Sequence, residues 1–300
     1  MDNLPFQIRQ KKKVYSLKDK LRGSGDIGID IFKISTSDDF TYKLISLNSI
    51  GKLQGKEKRF KEVVKNISAY HKSESVPNLI YYNNYQIVLN WIEGVSFKKY
   101  FSSDIDYKKI AVFNAKNFVE VSHQPAKKVI DNMKSQINIL RNLNIISESK
   151  CDKIEELLNN NSFIGSNRIS SALCFADTAF KNYIFQDNDG EQLVYIDTFG
   201  ISRREIGRVF VKQVFQVPVM YRKEYIEQFK KNLSIDLGSS LEFSFLYYLI
   251  ARIYSNSTKQ NWRNKNRRKS KLKKSLNDLD TFIKTTTNNQ SFESWITDCN

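Results

Sequence analysis

The chain has 300 residues, 40% of them hydrophobic, and a formal charge of +16. That apolar mass is enough for one large two-lobed domain or two ordinary ones and excludes a disordered chain, while the charge points to anionic partners without choosing among them. The three cysteines, Cys151, Cys174 and Cys299, lack CxxC spacing, which excludes a disulfide framework and a cysteine-rich zinc site and suits a reducing cytoplasm.

No apolar core precedes the lysine run at 11–13, so no cleavable secretion signal is expected there. From residue 14 to about 94 strands predominate. Residues 27–34 and 42–47 are rich in Ile, Phe and Tyr and flank a polar turn at 35–39, as in a hairpin. A helix is expected over 56–71, where Phe60, Val63, Val64 and Ile67 recur at three- and four-residue spacing, and Val76-Pro77 ends it. Residues 79–82 and 85–91 read as a second strand pair across Asn83-Asn84. Helical spacing then takes over at 107–144, 148–159 and 221–256, with a small hairpin at 183–185 and 193–196 around Asp187-Asn188-Asp189-Gly190. The apolar run 241–254 contains Glu242 and Arg252 and is shorter than the ~20 residues of a membrane span, so it reads as a buried helix. The last segment, 261–300, is a basic extension whose dense part, 263–274, reads either as a solvated face or as an anion-binding surface.

Chemistry is concentrated in a few places. Gly23, Gly25 and Gly28 form a GxGxxG pattern, in which missing Cβ atoms let backbone amides approach phosphate oxygens. A dinucleotide fold would put a helix after these glycines; here a strand follows, which is the arrangement of a kinase glycine loop. Lys43 lies in the next strand, and Glu62, or alternatively Glu57, in the following helix is a partner for its ammonium; Glu62 is preferred because it sits among the apolar residues. The segment from Cys174 to Asn182 carries Asp177 and Asn182 at D-x4-N spacing, and Asp197-Thr198-Phe199-Gly200 follows the small hairpin. One carboxylate to orient an attacking hydroxyl and two hard oxygen ligands for Mg²⁺ are what phosphoryl transfer requires.

In this order and spacing the residues resemble the protein-kinase-like superfamily, and within it the branch of aminoglycoside phosphotransferases, choline kinases and lipopolysaccharide-core sugar kinases. The resemblance spans roughly residues 15–252. It implies an α+β, two-lobed fold in a single domain: an antiparallel N-lobe sheet with one helix and linker at 14–94, a mainly helical C-lobe at 95–260, and the basic extension at 261–300. It implies ATP lying between the lobes under Gly23, Gly25 and Gly28, with Lys43 held by Glu62 on the phosphates and adenine at the linker residues Asn90 and Trp91. Asp177 would be the catalytic base, and Asn182 and Asp197 the Mg²⁺ ligands. The acceptor would be a hydroxyl of a small molecule or glycan, such as a cell-envelope sugar or lipopolysaccharide core, with peripheral contact to an anionic membrane face in the cytoplasm. The chain departs from the family at Phe175, where a His usually stands two residues before the catalytic Asp, and it lacks an activation segment with Ala-Pro-Glu.

Two readings of other classes stay open. A pseudokinase or scaffold would keep the fold without turnover, which the missing His favours and the retained Asp177, Asn182 and Asp197 oppose. A nucleic-acid-binding protein would use Arg263, Arg267, Arg268, Lys269, Lys271, Lys273 and Lys274 on phosphates, but no base-reading module accompanies them. His71 and His123 lie in no metal or nucleophile motif. Arg203, Arg204 and Arg208 follow Asp197 and can either bind an anionic substrate or pair with acids.

Overall fold

In chain order the elements are β1 (Ser16–Lys20), β2 (Ile29–Ser35), β3 (Thr41–Leu47), α1 (Ser49–Leu53), α2 (Glu57–Ser68), β4 (Leu79–Tyr82), β5 (Gln86–Asn90) and β6 (Val95–Ser96). There follow α3 (Asp104–Lys116), β7 (Val119–Pro125), α4 (Ala126–Asn142), α5 (Glu148–Asn159), α6 (Asn161–Ile164), β8 (Arg168–Phe175), β9 (Tyr183–Phe185) and β10 (Leu193–Tyr195). The last are β11 (Ile201–Glu205), α7 (Ile206–Val214), α8 (Val219–Asn232), α9 (Leu241–Thr258) and α10 (Lys265–Thr287). The structure is a computed structural model that describes residues 16–20, 28–35, 40–70, 73–97, 104–186, 192–258, 265–287 and 296. The chain divides into two compact units, residues 1–101 with 175–202, and residues 102–174 with 203–300.

The first unit is built on an antiparallel sheet of order β1-β2-β3-β5-β4. Alternation along its strands separates two faces. Ile34, Leu44 and Val88 cluster on one, with Phe32, Tyr42 and Tyr81 packed against them. Lys43 pairs in register with Lys33 and Leu89, so it projects from the opposite face, which also carries buried Ile45 and Ile87. Helix α2 buries Phe60, Val63, Val64 and Ile67, the stripe expected from their spacing. The short helix α1 was not foreseen; Asn48 caps it by accepting a 3.0 Å bond from the Gly51 amide. The β9–β10 hairpin forms a second small sheet with β6, and a Cβ on Gly94, whose φ is +143°, would collide with the Phe185 carbonyl. Segment 175–202, expected within the helical lobe, thus belongs to the unit that holds the five-stranded sheet.

The second unit is mainly helical around α9, whose Phe245, Leu246, Leu249, Ile250 and Ile253 are fully buried. Phe245 meets Phe215 (4.9 Å) and Phe282 of α10 (5.2 Å), so the basic extension includes a helix anchored on the core by Leu279, Phe282 and Ile283. Two long helical expectations are corrected. Strand β7 interrupts 107–144: Val119 and Val121 favour extended chain, and Glu120 at φ +50° marks an irregularity in the pairing with β8. A turn at 233–240, with Gly238 at φ +66° and its amide on Asp236 Oδ1 (3.0 Å), splits 221–256 into α8 and α9. Among the described residues no helix is long and apolar enough to cross a membrane.

Candidate active site

The site residues lie in the first unit, where two turns of irregular chain are tied together. The first runs from the end of β8 through Asp177 into a 3-10 turn at Phe180–Asn182; the second is the 3-10 turn Thr198–Gly200 after Asp197. The Gly200 carbonyl accepts from the Ala176 amide at 2.8 Å and from the Asp177 amide at 3.4 Å, binding one turn to the other. The peptide of Ile196 is held from both sides. Its N–H donates to the Asn182 carbonyl (2.8 Å), and its carbonyl accepts from Lys43 Nζ (2.9 Å). Lys43, Asn182 and Asp197 therefore converge although 43 and 197 are far apart in sequence.

Each side chain has a distinct environment. Asp177 is exposed, while its carbonyl accepts from Asn182 Nδ2 (3.2 Å) and from the Tyr195 hydroxyl (2.8 Å). Asn182 is buried, and spending its amide nitrogen on that carbonyl leaves Oδ1 as the atom available to a cation. Asp197 is partly buried; burial raises its carboxyl above the usual range, the charge of Asp177 adds to this, and the Lys43 ammonium partly offsets it. Burial lowers the Lys43 ammonium from its ordinary value, with Asp197 opposing the fall. Among the described residues no cluster of three or more His, Cys, Asp or Glu could hold a metal. Asn182 and Asp197 are of the type that could serve as the sparse protein ligands of a Mg²⁺ ion, which keeps waters and takes phosphate oxygens for the remaining positions.

The other expected residues are placed as follows. Gly23 and Gly25 lie outside the described residues, as do His71 and Arg263. Gly28 is buried at the start of β2 and packs on α1, where a Cβ would come within 2.7 Å of Gly51 Cα. Asn90 and Trp91 leave β5, their amides bonded to the Asn78 carbonyl (3.0 Å) and the Thr41 carbonyl (3.2 Å). Their Oδ1 and Nε1 are buried and have no partner among the described residues, while Lys33 sits 4.5 Å over the Trp91 ring and 3.2 Å from Glu93 Oε1. Glu62 is the correction. It is exposed and forms no ion pair with Lys43 among the described residues; α2 meets the second turn through Phe60 and Arg59, 5.5 and 5.3 Å from the Phe199 ring, and Asn66 Nδ2 donates to the Ile201 carbonyl just after it (3.0 Å). Arg203 pairs with Glu120 (2.9 Å), and Arg208 lies over Tyr247 and 3.9 Å from Glu205, so both are engaged by their own unit.

Tyr195 was not among the expected site residues. Its ring stacks on Phe175 at 4.3 Å, which stacks in turn on Tyr70 at 5.3 Å, and Tyr183 meets it edge-on at 5.3 Å. The one departure in the sequence that bears on it is the aromatic at Phe175, where a His was expected.

No protein-family model matches the sequence, and no curated protein matches it. Solved structures do. A macrolide 2'-phosphotransferase from Brachybacterium faecium aligns with TM-score 0.63 and 9% identity over 89% of this chain and 96% of its own. A choline kinase from Cryptosporidium parvum aligns with TM-score 0.60 and 11% identity over 93% of each. An aminoglycoside 2'-phosphotransferase solved with GDP aligns with TM-score 0.58 and 12% identity over 90% of this chain and 94% of its own. At these identities the likeness is one of fold, and the chain has the protein-kinase-like fold.

Proposed function

We propose that the chain is a Mg²⁺-dependent phosphotransferase that moves the γ-phosphoryl group of ATP to a hydroxyl of a small molecule or glycan. The observation that carries this reading is the Ile196 peptide clamped between Lys43 and Asn182, which gathers a cation, a neutral oxygen ligand and the Asp197 carboxylate beside Asp177. Asn182 and Asp197 would hold Mg²⁺, which supplies charge neutralisation on the phosphate oxygens. Lys43 supplies a second positive charge to the phosphates. Asp177, exposed on a turn fixed through its main chain, orients the acceptor hydroxyl and takes its proton as the oxygen bonds to phosphorus. The bond from phosphorus to the bridging oxygen breaks and ADP departs. The work of the protein is positioning and electrostatic stabilisation.

The acceptor class follows the structural neighbours, whose names give macrolide, choline and aminoglycoside as the molecules acted on. A sugar hydroxyl on an anionic cell-envelope glycan such as a lipopolysaccharide core, met in the cytoplasm at a membrane face, is supported by the +16 charge and by exposed Lys269, Lys271, Lys273 and Lys274. Calorimetry of ATP binding with and without Mg²⁺ tests the reading. Metal-dependent binding in the wild type that disappears in Asp197→Ala is expected; no binding in the wild type would refute it.

A further inference from the structure

A site whose base is exposed has to fix that base by other means. The Asp177 carboxylate has no hydrogen-bond partner among the described residues, so its direction is set by its own main chain. Three bonds hold that main chain: the amide to the Gly200 carbonyl, and the carbonyl to Asn182 Nδ2 and the Tyr195 hydroxyl. The Tyr195 bond is the shortest of them at 2.8 Å.

We infer that Tyr195 is a positioning residue for Asp177, its hydroxyl held by a buried aromatic stack and donating to the Asp177 carbonyl. The inference rests on the phosphotransferase reading. Phe175 lies two residues before Asp177 and has no polar side-chain atom, yet its ring is the platform for Tyr195, with planes 17° apart. Tyr70 backs Phe175, and all three rings are at most 2% exposed. The Tyr195 backbone is fixed as well, its amide on the Ser75 carbonyl (2.8 Å) and its register opposite Tyr183. Stack and strand direct the hydroxyl to the Asp177 carbonyl, beside the Asn182 side chain. Gly200 keeps that place open, because a Cβ there would collide with the hydroxyl. Tyr195 touches no reacting atom; it acts through Asp177.

Tyr195→Phe keeps the ring and removes the donor, and Tyr195→Leu removes both. The readout is ADP release from MgATP with water as acceptor, together with amide hydrogen exchange in peptides covering 176–182, on the full chain. Tyr195→Phe is expected to lower kcat about tenfold, the equivalent of one lost hydrogen bond of ~1.4 kcal/mol, while KM for ATP stays within about twofold and the thermal midpoint stays near wild type. Exchange at 176–182 should rise. Tyr195→Leu should lose stability as well as rate. Wild-type kcat or wild-type exchange in Tyr195→Phe overturns the inference, as does a kcat loss no larger than the accompanying loss of folded protein. If the wild type releases no ADP, the phosphotransferase reading fails separately, and the exchange comparison still decides whether Tyr195 holds the Asp177 turn.

Discussion

Gly200→Ala probes the crowded centre of the site. A methyl at residue 200 would collide with the Tyr195 hydroxyl and lie 3.0 Å from Asp177 Cβ and 3.1 Å from Asp197 Oδ2. The conflict is one of space alone, and the hydroxyl has little room to retreat because its ring is stacked on Phe175 at 4.3 Å and bounded by Tyr183. Overpacking a rigid site costs about 1–3 kcal/mol. Displacing the hydroxyl from the Asp177 carbonyl adds about 1 kcal/mol, so Gly200→Ala should destabilise by about 2–4 kcal/mol. A double-mutant cycle isolates the cause: Tyr195→Phe removes the atom the methyl meets, so Gly200→Ala in that background should cost less by at least about 1 kcal/mol. Urea unfolding of the four proteins, with m unchanged, measures this. Additive costs would show that the hydroxyl is not the obstacle and would remove the Tyr195–Gly200 packing from the account of the site.

Asp177→Asn should lower turnover by about 10²–10⁴ with ATP affinity nearly unchanged, because the carboxylate is assigned to the hydroxyl acceptor and not to the nucleotide. The same variant has a second signature. Burial and then the Asp177 charge hold the Asp197 carboxyl above the usual range, so the acid limb of Mg²⁺-dependent ATP binding should move to lower pH in Asp177→Asn; an unmoved limb would separate the two carboxylates. The sign for stability is opposite to that of a salt-bridged acid: since its folded value is raised, ionised Asp197 costs stability. Asp197→Asn should therefore raise the thermal midpoint at neutral pH, with the gain vanishing as pH falls through the ordinary carboxylate range, while metal-dependent nucleotide binding is lost. Gly51→Ala should destabilise the first unit, since a Cβ there collides with the Gly28 carbonyl; an unchanged unfolding midpoint would contradict the close α1–β2 packing.

The parts of the fold that are legible in the sequence are those encoded locally. The hairpin of β2 and β3, the buried stripe of α2 and the β9–β10 pair follow from period and turn chemistry within a few residues. Strands β7 and β8 are less readable, because Val119 to Pro125 is short, carries a bulge at Glu120 and gains its extended form from pairing with a segment nearly fifty positions later in the chain. The same limit governs the site. Asp177 and Asn182 are recognisable because one turn presents both, and Asp197 because a short hairpin returns it.

Glu62 shows where such reading fails. Lying between Phe60 and Val63 in sequence says little about side, since on a helix neighbours two positions apart face different ways, and which residues of α2 meet the Asp197 turn, here Arg59, Phe60 and Asn66, is set by tertiary packing. Tyr195 is a harder case of the same kind. A Tyr in a strand carries no local mark of function, and its role arises when the β9–β10 register delivers the ring onto Phe175 and the hydroxyl onto Asp177. Phe175, where the resemblance leads to the expectation of a His, offers the loop no polar side-chain atom, while its ring seats the Tyr195 donor on the Asp177 main chain.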